Sequence, residues 1–73
     1  MYDNQGNYIF YKVYELDNRL EFDIKFEYKE NAEKYAEYMS KKHNIDYKVK
    51  EMIMCIGVPE YKDNEVLEAL KNV

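Results

Sequence analysis

A single small domain of the α+β class, with elements in the order β-β-α-β-α, is predicted by three features of this 73-residue chain. Residues 19–29 alternate charged and apolar side chains without an error. Residues 32–43 carry apolar side chains at helical spacing. Two further apolar segments, 7–16 and 45–58, lie on either side and end in turn-forming residues. Successive side chains on a strand point to opposite faces, whereas a helix returns to the same face roughly every 3.6 residues.

Residues 1–6 are polar and include Gly6, which predicts a frayed start. The first strand, 7–16, is apolar on both faces. Tyr8, Phe10, Tyr14 and Leu16 lie on one side, interrupted only by Lys12, and Ile9, Tyr11 and Val13 lie on the other. Such a strand is expected at the centre of its sheet, covered on both sides. Asp17 and Asn18 tolerate positive φ and suit a two-residue hairpin loop. In the second strand, 19–29, Leu20, Phe22, Ile24, Phe26 and Tyr28 form a dry face. Arg19, Glu21, Asp23, Lys25, Glu27 and Lys29 form a wet one. A two-residue loop sets Ile9, Tyr11 and Val13 opposite Phe26, Ile24 and Phe22, and a three-residue loop exchanges the faces of strand one. The first register is favoured because it gives Lys12 the charged partner Asp23. It leaves Tyr8, Phe10, Tyr14 and Leu16 on the far face.

The main helix is predicted over 32–43, with Asn31 as its N-cap and Ala32, Tyr35, Ala36, Met39 and His43 in one stripe. Glutamates at its front, lysines at its back and Asn44 as a left-handed stop complete it. The third strand, 45–58, alternates as far as Lys50. From Met52 to Ile56 it is apolar on both faces, which predicts either a bulge near Lys50 and Glu51 or cover on both sides. Gly57 and Pro59 end it. A short helix over 63–72 follows, capped by Asp63. A crossover helix makes strands two and three parallel, and the short chain puts strand three beside strand one. The expected sheet is three-stranded, of antiparallel type, in the order 2-1-3, packed on the main helix. Phe22, Ile24, Phe26, Tyr35 and Met39 are the expected core. The second face needs the C-terminal helix or another molecule.

Composition narrows the function. A lone cysteine, Cys55, rules out an internal disulfide and fits a reducing compartment. With one His and one Cys, no structural zinc site is expected. Residues 1–7 lack the pattern of a signal peptide, and no apolar run approaches the length of a membrane span, so a cytoplasmic protein without a membrane role is expected. Net charge is −4 with the signs mixed along the chain, which argues against direct nucleic-acid binding. His43 and Cys55 read as a helix-end cation and a small buried hydrophobe. Glu33 and Glu37 read as a solvated helix face. Gly6 and Gly57 alone build no phosphate loop. No catalytic residue, metal or cofactor is therefore assigned.

Aromatics make up 16% of the chain, with Tyr at 9, a composition suited to interfaces. The far-face aromatics Tyr8, Phe10 and Tyr14, with Glu21 and Glu27 beside them, are the expected partner-binding surface. In size and composition the chain resembles the small, acidic, Tyr- and Lys-rich single-domain proteins that phages make against host factors, such as anti-CRISPR and other anti-defence inhibitors. That resemblance implies a non-enzymatic inhibitor or adaptor acting on a host protein, in the cytoplasm of the producing or infected cell. A homo-oligomer is also expected, because one face of the sheet lacks a cover. The alternative is an oligomeric sponge or sensor that holds a small nucleotide-like ligand at a subunit interface.

Overall fold

The computed structural model describes residues 6–17 and 20–71. The frayed start, apart from Gly6, and the Asn18 half of the hairpin loop lie outside the described residues. Strand β1 spans Tyr8–Glu15, helix α1 Lys29–His43, strand β2 Tyr47–Met54 and helix α2 Asp63–Lys71. The class is α+β, as predicted, but the sheet has two strands, paired antiparallel, in place of the three in order 2-1-3. The ladder is continuous from Tyr8↔Met54 to Glu15↔Tyr47.

The segment predicted as the second strand is not one. It meets the other edge of β1 only at two isolated antiparallel bridges, Tyr11↔Phe26 and Tyr14↔Glu21. Tyr11 and Phe26 exchange backbone bonds of 2.9 and 3.0 Å, while Phe22 donates to Val13 (3.0 Å) and Glu15 donates to Leu20 (2.7 Å). Between the Val13–Phe22 and Tyr11–Phe26 pairs, Lys12 alone stands opposite Asp23, Ile24 and Lys25. Two extra residues are absorbed there. Because the side-chain period is two, a slip of two breaks the ladder but keeps every side chain on its face. The dry face therefore survives in part. Phe26 is fully buried, and Phe22 and Ile24 pack on the core, while Leu20 and Tyr28 at the ends are exposed. On its outer side this segment receives a bond from the Lys62 amide to the Lys25 carbonyl (2.9 Å), next to a parallel bridge from Lys25 to Tyr61.

Helix α1 starts three residues earlier than predicted. Its N-cap is Tyr28, whose side chain makes no capping bond, and Asn31 lies within the first turn. Asn44 ends the helix in the left-handed conformation (φ 54°), as expected. Ala32 and Ala36 are buried and bring the helix close to Val13 and Phe26. Around them Phe22 meets Tyr35 edge-on at 5.7 Å, Phe26 lies 5.8 Å from Tyr35, and Phe22 lies 5.5 Å from Tyr47. Met39, expected in this core, is half-buried and lines a groove between α1 and α2 together with Ile24, Tyr35, Val66 and Leu70. Burial raises the pKa of Tyr35, with the neighbouring Tyr47 and Tyr38 adding to it. A raised pKa favours the neutral folded form, so this contribution is complete below the ordinary tyrosine range and disappears as pH rises through the folded value. Alkaline unfolding followed by fluorescence should begin at higher pH for Tyr35→Phe than for the parent chain.

The third strand is shorter than predicted. It carries no bulge, and its apolar second half is not covered on both sides, since Ile53 is 52% and Ile56 90% exposed. Helix α2 packs against α1 and sends Val66 to the core; it does not cover the far face of the sheet. Asp63 begins α2, but its carboxylate does not cap that helix. It is buried and accepts bonds from the amides of Glu27 (2.7 Å) and Tyr28 (3.2 Å) and from the Asn31 side chain (2.7 Å). The start of α1 is thus capped by a residue from the far end of the chain.

Candidate functional site

The bonds of β1 fix which way its residues face. Tyr11, Val13 and Glu15 turn their backbone groups to the 20–26 segment, so Tyr8, Phe10, Lys12 and Tyr14 turn theirs to β2. The side chains of Tyr8, Phe10, Lys12 and Tyr14, with those of Lys48, Lys50, Met52 and Met54, share the face opposite α1.

On this face Tyr14, Leu16, Glu21 and Lys50 line a shallow depression of about 490 Å³. The Lys50 ammonium lies 2.8 Å from Glu21 Oε1 and 5.7 Å from the centre of the Tyr14 ring. Lys12 stands directly opposite Lys50 on the ladder. Two like charges in that position repel, and Glu21 relieves them. Its hydrogen bond to Lys50 is the main cause holding its carboxyl below the usual range; desolvation opposes this, and the charges of Lys50 and Lys12 add to it. Farther along, the Lys25 ammonium lies 5.8 Å from the centre of the Phe10 ring and 3.9 Å from Asp23. Among the described residues, strand parity puts Lys12, Lys48 and Lys50 on this face, where Lys25, Glu21 and Asp23 join them. The chain is acidic overall, but this face is basic. Charge read along the chain conceals that, because the lysines come from three separate segments.

The expected interface residues are not one patch. Tyr14 and Glu21 are bridge partners, and both line the depression. Phe10 is 6% exposed and lies inside the protein. Tyr8, half-buried, stands six residues from Tyr14, roughly 20 Å along the strand. Glu27 is half-buried near the start of α1, where its amide is bound by Asp63. Sequence reasoning missed Lys12, Lys50 and Leu16. The pairing of Lys12 with Lys50 belongs to the β1–β2 register, which no local pattern encodes.

A general acid needs a raised pKa, and the Glu21 carboxyl is shifted the other way. His43 lies 6.4 Å from the Tyr47 ring at one end of β2, whereas exposed Cys55 follows the other end, roughly 25 Å away for an extended strand. Glu37 pairs with Lys41 at 3.0 Å on the outer face of α1. Among the described residues there is no cluster of three metal-ligating side chains, and no helix is long and apolar enough to cross a membrane. The arrangement on the far face can hold a partner through an aromatic ring, an exposed leucine and fixed charges. No protein family, curated protein or solved structure matches this chain.

Proposed function

We propose that this chain is a protein-binding module without enzymatic activity, acting as an inhibitor or adaptor on another protein. The reading rests on the depression around Tyr14. An aromatic ring stands beside Leu16, 42% exposed, and the Glu21–Lys50 pair lines the same depression, with Lys12 opposite Lys50 on the ladder. Aromatic anchors surrounded by charge are the usual make-up of binding hot spots. The excess of lysines on this face selects a partner surface rich in carboxylates, with charge steering the encounter. An anti-defence inhibitor working in the cytoplasm of an infected cell is one protein that would need such a face. Tyr14 and Glu21 are its centre, and Tyr8 is an outer contact.

Affinity for a partner captured from cell lysate and melting temperature, measured on the same Tyr14→Ala variant, test this reading. The expected result is a loss of about 2 kcal/mol in binding with little change in melting temperature. Binding should also weaken as salt is raised. A lower melting temperature with unchanged affinity would make Tyr14 a packing residue and remove the proposed anchor.

A further inference from the structure

Among the described residues, β1 has neighbours on both sides, but β2 has one on its β1 side only. Because Lys48, Lys50, Met52 and Met54 face β1, the backbone groups of Tyr47, Val49, Glu51 and Ile53 point to the outer edge. The Tyr47 amide is taken by Ser40 Oγ of α1 at 3.2 Å. Beyond it α1 flanks the edge only as far as Val49, where Lys29, Glu33, Ala36, Glu37 and Ser40 form a groove against Tyr47, Lys48 and Val49. Among the described residues, no hydrogen bond reaches the backbone of Val49, Glu51 or Ile53.

Proteins usually protect such an edge with lysines, proline, a bulge or a short strand. Here the protection is uneven. Lys48 and Lys50 guard the first half, while Met52, Ile53 and Met54 carry no charge, no proline and no bulge. The exposed apolar residues Ile53, Ile56 and Val58 gather at the same end.

We propose that a second copy of this chain adds to the edge antiparallel, with the two-fold axis at Met52. The edge is compatible in charge with a second copy of itself, and like-charge repulsion together with the length of strand paired selects the register. Antiparallel pairing requires outward-facing residues to meet each other, which leaves only registers centred on a single residue. Centring on Lys48, Lys50 or Glu51 puts like charges directly opposite, and centring on Val49 puts Lys48 opposite Lys50 twice. Centring on Ile53 or Met54 also avoids like charges but pairs three residues of β2 or fewer, whereas centring on Met52 pairs five, with Met52 against Met52, Glu51 against Ile53, Lys50 against Met54 and no like charges facing. Glu51 and Ile53 of each copy then exchange backbone bonds with Ile53 and Glu51 of the other. The contact starts where the cover of α1 ends, and it joins two sheets into one of four strands. The strand edge and the Tyr14 depression are separate surfaces, so this dimer does not rest on the binding role proposed above.

Light scattering at micromolar concentration should give twice the 9.0 kDa of one chain. Ile53→Glu places a glutamate opposite Glu51 at two symmetric positions and should weaken the dimer roughly tenfold or more. Adding Glu51→Lys restores opposite charges in this register and should recover the dimer. Independently, Met52→Cys in a Cys55→Ser background should form an intermolecular disulfide on oxidation, since residues at the two-fold come within disulfide range. Circular dichroism confirms that each variant is folded. A mass of one chain for the parent protein, a dimer indifferent to Ile53→Glu, or a Met52→Cys variant that stays monomeric on oxidation would each overturn the proposal.

Discussion

Phe26→Ala should destabilise the protein by about 3–5 kcal/mol, the usual cost of removing a buried aromatic ring and leaving its cavity. Among the described residues Phe26 is the largest side chain with no exposure, and its ring meets Tyr35 across the core. Its backbone exchanges two bonds with Tyr11, which hold the ring over Val13, Ala32 and Ala36. A chain of this length has a total stability on the order of 4–11 kcal/mol, so the variant should be largely unfolded or close to it at room temperature. Urea titration followed by circular dichroism measures the loss. Phe26→Leu, which keeps most of the volume, should cost much less. Equal midpoints for Phe26→Ala and the parent chain would place the core elsewhere.

Asp63→Ala should cost about 3–5 kcal/mol by a different route. One buried carboxylate accepts bonds from two main-chain amides and one side-chain amide, all at the approach to α1. Bonds to a charged acceptor are the stronger kind, and removing the acceptor leaves the donors without partners. The negative charge also sits at the N-terminal end of α1, where the helix dipole favours it. Tyr28, the N-cap, provides no capping bond of its own, so nothing local replaces Asp63. Asp63→Asn keeps the shape but turns an amino group toward amides that also donate, and it should lose most of the same energy. Amide exchange locates the effect. Glu27 and Tyr28 should lose protection in Asp63→Asn before the β1–β2 ladder does. Protection lost evenly over the whole molecule would mean that Asp63 has no special hold on the start of α1.

These two residues mark how far the sequence could be read. The alternation in 19–29 correctly turned Phe22, Ile24 and Phe26 inward, because which face a side chain occupies depends only on parity. It could not show whether the segment holds a continuous ladder, because a slip of two residues leaves parity unchanged. Asp63 was recognised as a helix-start residue, but a capping pattern is local, and its carboxylate reaches a helix more than thirty positions earlier in the chain. In the candidate site, Tyr14 and Glu21 were identified from the hairpin, and Lys50 was missed because it arrives from β2.

The sequence by itself determined the α+β class, the existence of both helices, the left-handed stop at Asn44 and the inward side of each amphipathic element. All of these follow from periodicity and from the preferences of neighbouring residues. Only the tertiary structure decided that the sheet has two strands, that Asp63 caps α1, that four lysines make a basic face on an acidic chain, and that Met52 to Met54 lie on an open edge. Each of these depends on which segments meet in space. That is set by the β1–β2 register and the packing of Ala32 and Ala36 against Val13 and Phe26, and it leaves no signature in the order of residues along any one segment.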